Sequence, residues 1–178
     1  MLVRENQLIQ LFKEQNNEHQ PILLYGPNEG LIRENFLKIK EIFNQNNSEE
    51  VCFSGKLIND QPDILVDEVQ TVSMFNEQKI ITIEQPIDKN IDLFESVFKE
   101  LPDQTLIIVI ANNLTKNSKI RKFFEKSDNY FSCANYEDDF KSNSQQIQNL
   151  EKSINKNLHK DIKHYLNQNL SSDRMISK

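Results

Sequence analysis

Ile22-Leu23-Leu24-Tyr25-Gly26-Pro27-Asn28-Glu29-Gly30-Leu31-Ile32-Arg33 is the stretch from which the fold is read. Four apolar residues form a short buried strand, and Gly26-Pro27 ends it in a turn. Leu31, Phe36, Leu37, Ile39, Ile42 and Phe43 then recur at helical spacing. The whole chain has only 3 glycines, and Gly26 and Gly30 are two of them, so they stand where a backbone needs them. Working outward, four more β-like runs follow: Glu50 to Ser54, Lys79 to Glu84, Thr105 to Ala111 and Asn129 to Ala134. Helical patterns lie before and between them, at Gln7 to Gln15, Ile64 to Val72, Ile91 to Leu101 and Ser118 to Lys126. Strands separated by helix-length connections cannot be hairpins, so they pair in parallel through right-handed crossovers. Leu106 to Ala111 is apolar on both faces, as a central parallel strand must be. The expectation is a three-layer α/β domain over residues 1–136 with a five-stranded parallel sheet.

Residues 137–178 differ in character. Asp138, Asp139 and Lys141 to Gln146 are polar, and this stretch is read as a linker or a helix start. Ile147, Leu150, Ile154 and Leu158 then follow helical spacing, as do Ile162, Tyr165, Leu166 and Leu170. Two short helices cannot bury their apolar stripes alone, so this region reads as the start of a second, helical domain.

The 178 residues carry 27% charged and 37% hydrophobic side chains, enough apolar surface for one core. No apolar run reaches the ~18 residues of a membrane span, and the N-terminus is not signal-like, so a cytoplasmic protein without membrane contact is expected. A net charge of −6 argues against a broad grip on nucleic acid. Cys52 and Cys133 sit in separate apolar runs and are read as buried free thiols. His159 and His164 are five residues apart, on different helix faces, and no metal site is expected. The Asn- and Gln-rich stretches, such as Asn44 to Asn47, are read as compositional bias.

Gly26 to Gly30 occupies the position of a phosphate-binding loop, where GxxxxGK[ST] wraps phosphates at a helix N-terminus. Counted from Gly26, that pattern needs Gly, Lys and Ser or Thr at 31, 32 and 33, and the chain has Leu31, Ile32 and Arg33. The ammonium for the β and γ phosphates and the hydroxyl for Mg²⁺ are therefore absent, and the Glu29 carboxylate repels a polyphosphate. The strand Lys79 to Glu84 ends in Glu84-Gln85, where an acidic pair would hold Mg²⁺ and polarise water; an amide cannot act as a base. Asn112 and Asn113 follow the next strand and are read as turn residues rather than as a γ-phosphate sensor. The loop (Gly26, Pro27, Asn28, Glu29, Gly30, Ile32, Arg33) and the strand end (Glu84, Gln85) thus look like a nucleotide site that has lost its chemistry. No catalytic residue and no cofactor are expected.

Three segments carry a family resemblance: Tyr25 to Glu34, Pro62 to Phe75, and Asn113 to Glu125. In order and spacing they resemble the delta subunit of the bacterial DNA polymerase III clamp loader, and Leu170-Ser171-Ser172-Asp173-Arg174 is similar to a motif of that family's lid domain. The resemblance implies a degenerate AAA+ module that does not bind ATP, followed by part of a helical lid. It implies a subunit that binds the sliding clamp, a beta ring, and opens one interface while ATP-driven partner subunits load it onto primed DNA. The polymerase activity, a DNA-directed nucleotidyltransferase, then belongs to the whole complex, and primed DNA is an indirect partner.

By the same resemblance, the clamp contact falls on Met74 and Phe75, with Thr71, Val72 and Ser73 completing the motif. From the residues alone, Met74 and Phe75 either cap the domain core or project as a hydrophobic plug. Full burial of two such side chains contributes roughly 3–6 kcal/mol before ordering costs. Thr71 stands where clamp-binding peptides often have Gln. Most of the lid and the collar helices that join family members to the other loader subunits are not found in the sequence. The cluster Lys116, Lys119, Arg121, Lys122 and Lys126 is read as a solvated helix face, with DNA or a neighbouring subunit as the other possibility. The rival functions are a divergent P-loop ATPase or nucleotide kinase, and an AAA+-like protein-binding adaptor.

Overall fold

The computed structural model describes residues 1–3, 5–14, 20–43, 48–71, 78–136 and 140–169. In chain order the elements are β1 (Leu2–Val3), α1 (Glu5–Glu14), β2 (Ile22–Tyr25), α2 (Glu29–Phe43), β3 (Glu49–Ser54), α3 (Gly55–Asp60), α4 (Pro62–Gln70) and β4 (Lys79–Glu84). A 3₁₀ turn (Asp88–Asn90), α5 (Ile91–Lys99), β5 (Thr105–Ala111), α6 (Lys119–Lys126), β6 (Phe131–Ala134), α7 (Phe140–Ile154) and α8 (Lys160–Asn169) follow. Every paired strand is parallel, in the order β1-β6-β2-β5-β4-β3.

Among the described residues the sheet has six strands rather than the five expected. The extra strand is the two-residue edge β1, with Leu2 opposite Ser132 and Val3 opposite Cys133. A helix that the apolar spacing does not signal, α3, also forms directly after β3, where the Ser54 hydroxyl caps it by accepting from Leu57 N at 3.2 Å. α4 begins at Pro62, two residues before the expected Ile64 and with the proline at the first helical position, and ends at Gln70; Val72, the expected end, lies outside the described residues. Leu158 lies in the connection between α7 and α8, outside either helix.

The period of two along each strand divides the core. Leu23 and Tyr25 of β2 face one way, with Ile81, Ile83, Ile107 and Val109, and are covered by α3 to α6. Ile22 and Leu24 face the other way, with Ile80, Leu106 and Ile108, and are covered by α1 and α2 through Leu8, Phe12, Ile32, Ile39 and Phe43. Phe94 and Phe98 of α5 stack at 5.1 Å between ring centroids and meet Phe123, Phe124 and Tyr130.

Cys133 is buried as expected, but Cys52 is exposed, contrary to expectation. It lies on the edge strand β3, on the face where Thr82 and Glu84 continue the surface beside α2. α7 and α8 are tied by an Asn167 Nδ2 donation to Ser144 Oγ at 2.7 Å and a Lys163–Glu151 ion pair at 2.7 Å.

The strand order reverses beside β2. The chain leaves β2 for β3 at one edge, returns through β4 and β5, and places β6 on the other flank of β2. In open parallel sheets the C-terminal strand ends at such a reversal form the ligand crevice. Here those ends are Tyr25-Gly26, Ala111-Asn112 and Ala134-Asn135.

Candidate functional site: a filled loop and a pinned helix end

β2 delivers the chain into Gly26, whose φ is +141°. A Cβ at this position would lie 2.0 Å from the Asn135 carbonyl oxygen and 2.7 Å from its carbon. Glycine is thus required twice over, by the backbone conformation and by the close approach of the segment after β6. That segment crosses the loop: Asn135 N donates to Tyr25 O at 2.6 Å, and Asn28 N donates to Asn135 O at 3.3 Å.

Side chains complete the closure. Asn28 Oδ1 caps α2 by accepting from Leu31 N at 2.9 Å, and Asn28 Nδ2 donates to Tyr136 O at 3.4 Å. Asn35 Nδ2 donates to Asn135 Oδ1 at 2.7 Å. Asn135 Nδ2 in turn donates to Cys133 O at 3.0 Å and Tyr25 O at 3.3 Å. All three asparagines are at most 1% exposed. An anion-binding loop presents free backbone N–H groups at the start of a helix. In this loop the Asn28 N–H is spent on the Asn135 carbonyl and the Leu31 N–H on the Asn28 side chain.

The remaining expected residues border a groove beside this closure. Glu29, Ile32, Arg33, Glu84, Gln85 and Asn112 line one groove of about 730 Å³ between α2 and the ends of β3 to β5. Gly26, Pro27, Asn28 and Gly30 do not line it. The groove mixes charges: Glu29 and Glu84 are joined by Glu50, which pairs with Lys40 at 2.7 Å. Ile32, at the position of the phosphate-binding lysine, packs into the core instead. Gln85 adopts φ +49° and donates its N–H to Ile110 O at 2.9 Å, so it serves the strand end. Beside it, Gly55 approaches so closely that a Cβ would sit 2.4 Å from Gln85 O. Asn90 Nδ2 bonds Gly55 O at 3.0 Å.

Of the motif Thr71 to Phe75, only Thr71 lies within the described residues; Val72, Ser73, Met74 and Phe75 lie outside them, as does the lid motif 170–174. Thr71 is exposed, and both its N–H (2.9 Å) and its Oγ1 (2.7 Å) donate to Asp67 O. Its carbonyl accepts from Lys79 Nζ at 2.9 Å. Lys79 is only 4% exposed, and its ammonium also donates to Glu68 O at 2.9 Å and Glu68 Oε1 at 2.6 Å.

In the basic cluster, Lys116, Lys119, Lys122 and Lys126 are exposed as expected, but Arg121 is not solvated. Its guanidinium lies 5.1 Å from the centre of the Tyr25 ring, and its Nε donates to Glu125 Oε1 at 2.7 Å. Tyr25 OH donates to the same Glu125 oxygen at 3.2 Å. Burial, assisted by the Glu125 charge, pushes the Tyr25 hydroxyl well above the ordinary tyrosine range even beside Arg121. Among the described residues no cluster of three or more His, Cys, Asp or Glu could hold a metal, and no helix is long and apolar enough to cross a membrane.

Asn35, Asn135 and Lys79 were not singled out by sequence reasoning. Arg121 and Glu125, four apart on one helix, carried a usable pairing signal; the contact of Asn135 with Gly26 had none.

Among solved structures, the Bacillus subtilis DNA clamp loader delta protein superposes with a TM-score of 0.64 at 17% identity. The alignment covers 91% of this chain and 50% of that one, so the chain spans about half its length. DnaA from Aquifex aeolicus, solved with AMPPCP bound, matches with a TM-score of 0.53 at 14% identity, covering 96% of this chain and 57% of that one. A DNA polymerase III gamma subunit-related protein from Thermotoga maritima gives 0.50 at 12% identity, with 96% and 59% covered. These likenesses establish a shared AAA+-like fold. No curated protein sequence matches the chain. The family described as DNA polymerase III, delta subunit, matches residues 22–134, well over half of the 178, and the chain belongs to that family.

Proposed function

We propose that this chain is a non-catalytic clamp-loader subunit of DNA polymerase III, which binds the sliding clamp and opens one ring interface for loading onto primed DNA. The observation that carries the reading is the Asn135 peptide lying across the Gly26 loop, in a chain of the delta family. A core whose nucleotide loop is closed by its own backbone contributes to a replication complex by binding rather than by hydrolysis. The same closure counts against a divergent ATPase or nucleotide kinase. The other loader subunits are its further partners, primed DNA is met through the assembly, and the polymerase activity belongs to the complex. The clamp contact is assigned to Thr71, Val72, Ser73, Met74 and Phe75, with Met74 and Phe75 as the apolar anchor. Thr71, exposed at the end of α4 and the neighbour of Val72 in the sequence, supports that assignment.

The test is titration of the purified chain against the sliding clamp of its own organism, beside the double variant Met74→Ala with Phe75→Ala. The expected result is at least a tenfold loss of affinity in the variant. Unchanged affinity would reject the anchor.

A further inference from the structure

We infer that Lys79 is a positioning residue for clamp binding: its buried ammonium fixes the end of α4 from which the clamp-binding segment departs. The inference rests on the assignment of Val72 to Phe75 to the clamp contact, and adds a residue that does not itself belong to that contact.

The geometry follows from an ordinary need. The last carbonyls of a helix have no partner within it and carry the negative end of its dipole. At α4, the Glu68 and Thr71 carbonyls both accept from Lys79 Nζ at 2.9 Å, and the Glu68 carboxylate accepts at 2.6 Å. Glu49 Oε2 lies 4.0 Å away. The three protons of the ammonium thus have three close oxygens, which is what permits a lysine to be 4% exposed.

The backbone beneath it is rigid. Lys79 opens β4, pairs with Glu49 and Thr105 on its two sides, and donates its N–H to Gln104 O at 2.9 Å. One residue therefore ties the end of α4 to the start of an interior strand of the sheet. Thr71 and Lys79 also bracket the chain between α4 and β4, so the ammonium sets the separation of the two anchor points of that connection. A flexible point of departure costs ordering entropy when two side chains must enter a partner's pocket together. Fixing it in advance improves affinity with no contact of its own.

The test is a double-mutant cycle on clamp affinity, with urea midpoints measured in parallel and binding read well inside the folded baseline. Lys79→Met keeps the aliphatic stem and removes the charge. The expected result is about a tenfold weaker clamp affinity in the otherwise native chain, and no further loss in the Met74→Ala, Phe75→Ala background. Loss of folded-state stability alone would lower the urea midpoint and leave the affinity of the folded chain unchanged; that outcome overturns the inference. Equal losses in both backgrounds overturn it too, because Lys79 would then act elsewhere. If Met74→Ala with Phe75→Ala itself changes nothing, the clamp assignment fails first, and the inference with it. Should Lys79→Met show no cooperative urea transition, Glu68→Gln takes its place in the cycle. A smaller loss, about threefold, and the same non-additivity are then expected, and their absence overturns the inference.

Discussion

Asn35 and Asn135 meet side chain to side chain at 2.7 Å, wholly buried, although exactly one hundred positions separate them in the sequence. The pair joins the middle of α2 to the segment that crosses the Gly26 loop. It is polar where the surrounding core is apolar, so Asn135 Oδ1 depends on Asn35 for its hydrogen bond. Asn35→Ala is expected to lower stability by about 1–3 kcal/mol, because Asn135 Oδ1 is left buried without its donor. Asn135→Ala also removes the donations to Tyr25 O and Cys133 O and is expected to cost more. The double variant should lose clearly less than the sum in urea titrations. Strict additivity would show that the two side chains do not act as a unit.

Gly26→Ala is expected to be among the most damaging single changes in the chain. The φ of +141° is unfavourable for alanine, and the added carbon would sit 2.0 Å from a backbone oxygen that cannot rotate away. A loss of about 3 kcal/mol or more follows, read as a large drop in urea midpoint or in soluble yield. Gly30→Ala, inside α2, should differ sharply, and equal effects of the two changes would remove the special role of Gly26.

β2, β4 and β5 were legible because their side chains are buried on both faces. Lys79 to Glu84 and Thr105 to Ala111 run as continuous β-rich stretches, and their ends fall where expected. β1 was not legible, since two residues carry no period and pair only through distant Ser132 and Cys133. Cys52 was misread because Val51-Cys52-Phe53 looks apolar throughout, although at a sheet edge only alternate residues face a covered side. At the loop, the missing chemistry of Ile32 and Arg33 could be read from the chain. What fills the loop could not, since an asparagine just past a strand is an ordinary turn residue until the fold brings it to Gly26. Arg121 looked like one of five surface cations, and its role emerges only from Tyr25, on a strand 96 positions earlier.

Tyr25 gives the protein an alkaline limit. Its hydroxyl titrates higher in the folded chain than the ordinary tyrosine value of 10.0 that applies once unfolded. A group with a raised folded pKa stabilises fully below its unfolded pKa and loses that contribution as pH rises through the window above it. Urea midpoints are therefore expected to fall from about pH 10 upward. Tyr25→Phe should lower the midpoint modestly at pH 8, through loss of the bond to Glu125, and should flatten the alkaline fall. Tyr130, also raised by burial, retains part of the slope. A variant with the native alkaline profile would mean that Tyr25 does not set it.

Rebuilding the phosphate loop separates absent chemistry from occupied space. Leu31→Gly, Ile32→Lys and Arg33→Thr together recreate the residue pattern of an ATP-binding loop after Gly26. If the pattern were all that is missing, the triple variant would bind Mg·ATP. The Asn135 peptide predicts otherwise, because Asn28 N–H and Gly26 remain committed to it. Ile32, 5% exposed, would also bring an ammonium into the apolar layer beneath α2, so stability should fall as well. Calorimetric titration of the folded triple variant is expected to show no binding of Mg·ATP up to about millimolar concentration, an affinity near the −4 kcal/mol threshold of useful binding. Micromolar binding would mean that Asn135 yields its place to a phosphate, and that the loop is closed only for want of a ligand to open it.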